Sequence, residues 1–163
     1  MGSTEELPEP IQMCLDKPVM IDLVDCFNAA NYAEFIKVPL LAIQSTVDAY
    51  SLQHIVVATC LKNKKPPYSL DDCTEDVMKA IEDYRQESLY FLNKMKKEKK
   101  DFGVWGPVCV QHGFSAGGSF TNDSYKVKDV KLVDAVSAFV EDETALKWLV
   151  DEGPWPENRG CSG

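Results

Sequence analysis

An α/β fold organised on a largely parallel sheet is what this sequence predicts, on three observations. Two strand-sized apolar runs, residues 38–46 and 104–111, are separated by a long stretch of helical periodicity. The first run, Val38-Pro-Leu-Leu-Ala-Ile-Gln-Ser-Thr46, does not alternate at its start, the pattern of a strand buried on both faces. Asp48 and His112 stand just past the carboxyl ends of these runs, where open α/β sheets collect their functional groups.

The elements are taken in chain order. Residues 1–10 read as a loose, flexible tail, with Pro8 and Pro10 opposing regular structure. Residues 11–36 mix polarities around Cys14 and Cys26 and predict an irregular segment tied by cysteine. Strand 38–46 comes next; Pro39 is tolerable among a strand's first residues. A short helix is expected over 54–61, then a basic, proline-containing loop over 62–67. The clearest helix lies beyond that loop. Asp71, Asp72, Glu75 and Asp76 crowd its start, with capping-box-like spacing from Asp72 to Glu75. Val77, Ile81, Tyr84, Phe91, Leu92 and Met95 form one apolar stripe, and lysines close its end. Strand 104–111 leads to His112, and a small-residue loop occupies 113–119. A second helix is expected over 130–140 with Val133, Val136 and Val140 on one side, and a last strand over 146–150. The tail 153–161 is too rich in proline and glycine to be regular, and Cys161 is expected to anchor it.

With 163 residues, 45% hydrophobic and 26% charged, the chain has the composition of one globular domain. Its formal charge of −9 argues against nucleic acid and anionic membrane surfaces, which select basic patches. The one dense basic run, residues 94–100, falls at a helix end, where cations suit the helix dipole. No run approaches the ~20 apolar residues of a membrane span. The six cysteines lack any CxxC pair and point to disulfides in an oxidising compartment. Zinc would want closer pairs and more than two histidines, so no metal or other cofactor is expected; buried free thiols are the other reading. No secretory signal is visible in residues 1–10, so a secreted or lumenal protein would present here as a mature piece or an incomplete reading frame.

Acyl transfer by a serine needs an imidazole to take the proton and a carboxylate to hold that imidazole in the right tautomer. Asp48 before His112 is the order in which α/β-hydrolases present acid and base. Composition alone leaves Asp48 open as a solvent-facing turn residue and His112 as a core or loop histidine. Gly113-Phe-Ser115-Ala-Gly117 has the letters of a nucleophile elbow. The residues after Ser115 make a poor helix opening, and no histidine lies downstream, so Ser115 is the weaker candidate nucleophile, with His54 as its conceivable base. Asn122-Asp-Ser124 is an N-glycosylation acceptor sequence.

These segments together resemble the C-terminal part of the pectin acetylesterase/Notum family of carboxylesterases, over roughly residues 11–161. Residues 38–48 resemble the strand leading to the family's triad aspartate. Asp48-Ala-Tyr-Ser-Leu-Gln53 resembles the turn after it, Cys109-Val-Gln-His112 the histidine segment, and Pro154-Trp-Pro156 with Cys161 the C-terminal close. The resemblance implies the C-terminal portion of an α/β-hydrolase-like fold with a largely parallel sheet, residues 11–163 forming part of a single domain. It implies disulfides Cys14–Cys26 and Cys60–Cys73, which leaves Cys109–Cys161. It implies Asp48 and His112 as catalytic acid and base, with Tyr50, Gly113 and Phe114 as candidates to line an acyl pocket; the two aromatics serve core packing equally well. Two features depart from the family. Its Gly-x-Ser-Ala-Gly-Gly elbow lies upstream of the aspartate strand and is absent here, while Ser115 occupies the position of the family's post-histidine loop. Tail cysteines usual near residues 154–158 are also missing. The implied partners are therefore an ester substrate and either a second polypeptide bearing the serine half or other subunits of an assembly. In the second case the chain is a non-catalytic structural relative.

Overall fold

A computed structural model describes residues 8–17, 26, 29–65, 68–115, 117–142, 148–153 and 155. In chain order the elements are α1 Glu9–Leu15, α2 Ala29–Tyr32, β1 Leu40–Ile43, α3 Ala49–His54, α4 Glu75–Glu98, β2 Phe102–Gly106, β3 Lys126–Val127, β4 Val130–Lys131, α5 Leu132–Glu141 and β5 Trp148–Val150.

Among the described residues the sheet has three strands in the order β1-β2-β5, all parallel. Side chains alternate across it, as period two requires. Phe102 and Val104 of β2, with Val150 of β5, pack against Leu92 and Met95 of α4 on one face. Trp105 and Leu149 pack against Leu132 and Ala135 of α5 on the other. Helices on both faces of a parallel sheet make this an α/β architecture. Gly103 lies where Leu41 and Phe139 press closest: an added Cβ would stand 3.1 Å from Leu41 Cδ1 and 3.2 Å from the Phe139 ring. A third core cluster, around Val47, Leu52, Leu61, Ile81 and Val108, lies where the strands run out and supports the segments beyond them.

Several elements differ from the sequence expectation. Helix α1 starts at Glu9, two residues inside the stretch expected to be a loose tail, and Pro10 sits in its first turn, where a missing N–H costs nothing. The expected irregular stretch 11–36 also carries α2 and the 3-10 turn Ala33–Phe35. Strand β1 is shorter than 38–46 and only half-buried, because it is an edge strand in this sheet. Strand β2 is buried throughout but begins two residues early and stops at Gly106, since Pro107 has no N–H to continue a ladder. The helix expected over 54–61 forms earlier, as α3, because Asp48 caps it; a 3-10 turn, Thr59–Leu61, occupies the later part. Helix α4 starts after Thr74, and Asp72 is engaged instead by Lys64. The stretch 130–140 opens with the second strand of a hairpin: Lys128 and Asp129, with φ of 50° and 65°, form its tight turn. Helix α5 then buries Leu132 and Ala135, turned from the expected valine stripe, which leaves Val140 at 78% exposure. Strand β5 begins at Trp148; the expected start at 146 lies outside the described residues.

Cys14–Cys26 and Cys60–Cys73 are disulfides, with Cα separations of 5.8 and 5.0 Å. The first closes the N-terminal helical layer; the second ties the turn after α3 to the approach to α4. Cys109 is also disulfide-bonded. Its expected partner, Cys161, lies outside the described residues.

Candidate active site

Each sheet strand delivers a polar group just beyond its carboxyl end: Asp48 after β1, His112 after β2 and Asp151 after β5. Asp48 is the N-cap of α3 and is 4% exposed. Its Oδ1 accepts the Ser51 N–H at 2.9 Å, a helix-capping bond. Its Oδ2 lies 2.8 Å from His112 Nδ1. One carboxylate therefore stitches a helix start and orients an imidazole.

His112 is reached by a loop that leaves β2 at Pro107. Its side chain is 63% exposed, and Nε2 hydrogen-bonds no described residue. With the Asp48 carboxylate accepting at Nδ1, the proton of a neutral ring resides there, and Nε2 presents its lone pair outward. That is the orientation of a general base whose substrate-side nitrogen is open.

Tyr50, on the first turn of α3, flanks this ring. Its centroid is 5.4 Å from that of His112 and 4.4 Å from that of His54, and the residue is half exposed. Gly113 is exposed, with φ of +76° and no atom within 4 Å of a Cβ built on it. That φ favours glycine and lets the chain turn sharply away from the histidine. Of the three residues expected to line an acyl pocket, Tyr50 and Gly113 lie on the open side, whereas Phe114 is turned into the core. It packs edge-on to Trp105 and Tyr125 at 5.3 and 5.2 Å and so anchors the loop after His112.

Ser115 is exposed in a turn and hydrogen-bonds neither His112 nor His54. The strand expected to feed an elbow ends at Gly106, and Ser115 is succeeded by the short 3-10 turn Gly117–Ser119, so the strand–turn–helix of an elbow is not formed. Asn122 is also exposed, its Oδ1 accepting the Ser124 N–H at 2.9 Å. Among the described residues no group of three His, Cys, Asp or Glu side chains could hold a metal, and no helix is long and apolar enough to cross a membrane.

Around the strand ends, the buried residues Asp151, Arg85 and Ser45 escaped sequence reasoning. Asp151 Oδ2 accepts the Val108 N–H at 3.3 Å, and Asp151 N donates to Gly106 O at 3.0 Å. Arg85, 2% exposed on α4, donates to the carbonyls of Asp151 and Gly153 at 3.3 and 2.9 Å. Ser45, 1% exposed, bridges the segments beyond β1 and β2. The signal for Asp151 was available: it is the first carboxylate after an apolar run, as Asp48 is. Arg85 and Ser45 carried none, since their types usually face solvent.

A parallel sheet covered by helices, with a carboxylate and an imidazole joined beyond the carboxyl ends of adjacent strands, defines an α/β-hydrolase-like protein. The pectinacetylesterase family model matches residues 2–162, and the chain belongs to that family. Comparison with curated proteins and comparison with solved structures each gave no match.

Proposed function

We propose that this chain carries the acid and the base of a serine carboxylesterase that hydrolyses O-acetyl or O-acyl esters on carbohydrate or protein, and that the nucleophilic serine comes from a polypeptide segment outside these 163 residues. The observation that carries the reading is the 2.8 Å contact between Asp48 Oδ2 and His112 Nδ1, with the far side of the ring open. The place of Ser115 supports an external serine, because no described serine hydrogen-bonds His112.

In the reaction, the incoming serine attacks the ester carbon as His112 Nε2 takes its proton. His112 returns that proton to the leaving alcohol, giving an acyl-serine. Water then enters by the same route and releases the acid. Asp48 keeps the ring in the Nδ1–H tautomer and stabilises the imidazolium. The oxyanion is met by backbone N–H groups of the serine-bearing segment. Tyr50 and Gly113 border the approach to Nε2. The protein works in a secretory lumen or outside the cell, where its disulfides persist and where exposed Asn122 accepts a glycan.

A fluorophosphonate serine-hydrolase probe applied to the native preparation tests the proposal. Label on a companion polypeptide, abolished by His112→Ala in this chain, is the expected result. Label on Ser115 makes the chain its own nucleophile donor and overturns the external serine. Absence of label in an intact assembly refutes catalysis and leaves a structural subunit.

A further inference from the structure

Asp48 and His112 come from different chain segments, and a direct side-chain hydrogen bond needs those segments held to a few tenths of an ångström. The sheet alone does not do this, because pairing between β1 and β2 ends at Ile43 and Trp105. Beyond it the backbone contacts thin out. Gln44 N donates to Trp105 O at 3.2 Å, Thr46 N to Pro107 O at 3.0 Å, and then Ala49 N to Gln111 O at a long 3.4 Å.

Ser45 fills the interval. Its Oγ donates to Cys109 O at 2.5 Å and stands 3.4 Å from Pro107 O. The same oxygen accepts from Val47 N at 3.1 Å and from Cys109 N at 3.4 Å. One buried hydroxyl thus uses its donor and both acceptor sites on the two segments, three residues before each of the paired side chains. These contacts also exclude Ser45 as a nucleophile, since its oxygen is committed and out of solvent.

We infer that Ser45 is a positioning residue whose hydroxyl sets the spacing between the Asp48 carboxylate and the His112 imidazole. The inference rests on reading that pair as acid and base. Without the hydroxyl, the peptide at Cys109 loses its tie to the Asp48 segment, and the loop shifts at His112 before the sheet beneath it yields.

The chain has only two histidines, so ring-nitrogen NMR of 15N-histidine-labelled protein resolves His112, with His54 as internal control. Spectra are recorded at a pH where an ordinary imidazole is neutral. The unaltered chain is expected to show His112 in the Nδ1–H form. Ser45→Ala is expected to lose that signature, passing to the Nε2–H form that an unrestrained imidazole favours, while His54 stays unchanged. Ser45→Thr and Ser45→Val, equal in volume and different in the hydroxyl, decide the matter if the alanine variant does not fold: threonine keeps the Nδ1–H form and valine loses it. Persistence of the form in Ser45→Ala or Ser45→Val, or its equal loss in the threonine and valine variants, overturns the inference alone. Its absence from the unaltered chain overturns the acid–base reading as well.

Discussion

Asp48→Asn separates the two roles that one carboxylate plays. Asparagine is as good an N-cap as aspartate, so its Oδ1 keeps the bond now received from Ser51 N at 2.9 Å. The atom facing His112 Nδ1 at 2.8 Å becomes an NH2 donor, however, and a donor there requires Nδ1 to be the acceptor. The ring proton then moves to Nε2, the nitrogen that must be empty to act as a base. In a serine-protease triad the same exchange lowers kcat by about 10⁴ with the geometry intact. Asp48→Ala loses the cap as well, about 1 kcal/mol, and the bond to a largely exposed imidazole adds on the order of 0.5–1 kcal/mol. At roughly 2–4 °C per kcal/mol for a chain of this size, Tm falls by about 3–8 °C for alanine and by less than about 2 °C for asparagine. Calorimetry gives the Tm values, ring-nitrogen NMR the tautomer, and probe-labelling rate in the native assembly the catalytic loss. The reasoning is refuted if asparagine destabilises as much as alanine, or if His112 keeps its proton on Nδ1 opposite asparagine.

Three further outcomes are expected. Arg85→Met retains the buried stem but removes the donors to Asp151 O, Gly153 O and the Glu82 carboxylate, at a cost of about 1–3 kcal/mol and a fall in Tm of roughly 2–12 °C, read by calorimetry. Val57 is 64% exposed with φ of 57°, a conformation that costs a β-branched residue about 1–2 kcal/mol, so Val57→Gly should raise Tm, and a fall would refute the strain. The Lys131 ammonium, by hydrogen bond and then by charge, holds the Asp123 carboxyl below its ordinary range, and the same contact holds Lys131 above its own. Asp123 thus contributes above the unfolded-chain value and loses its contribution as pH falls through the lowered one. Asp123 is exposed and Lys131 half-exposed, and solvent screens such a pair, so the Tm difference between the chain and Asp123→Asn should be slight near neutrality and vanish in acid.

The class of the fold was legible because burial on both faces leaves continuous apolar runs: the run that became β2 is buried throughout, while that of β1 reads the same although the strand is a half-buried edge. Their ends were not legible. Strand β2 stops where Pro107 withdraws a donor, yet the apolar sequence continues through Val110, because Val108 and Val110 pack into the cluster around Val47 and Leu52, and Cys109 into the one around Trp105, instead of pairing in the sheet. Helix α5 was seen, but its buried face was not: the valines advertise burial more strongly than Leu132 and Ala135, and only the sheet beneath decides which side turns in. The hairpin before it carries Lys128-Asp129 at its turn, without the glycine that usually marks a two-residue connection.

The candidate site divides along the same line. Asp48 and His112 were legible as candidates because position relative to a strand end is a sequence property, and the structure brings the two side chains to 2.8 Å. The contacts that hold them are not a sequence property. Ser45 and Asp151 bond to backbone atoms, and Arg85 does so besides pairing with Glu82 on its own helix, so no partner residue type announces the contacts that reach the strand ends. Arg85 grips the carbonyl of Asp151, Asp151 grips the N–H of Val108, and Ser45 grips the peptide of the next residue, Cys109. The loop that carries His112 is therefore held from two sides, by the segment after β5 and by the segment after β1. Loosening either side should disturb His112 more than the sheet below it, because the loop hangs from these bonds while the strands are secured by their own ladder and core.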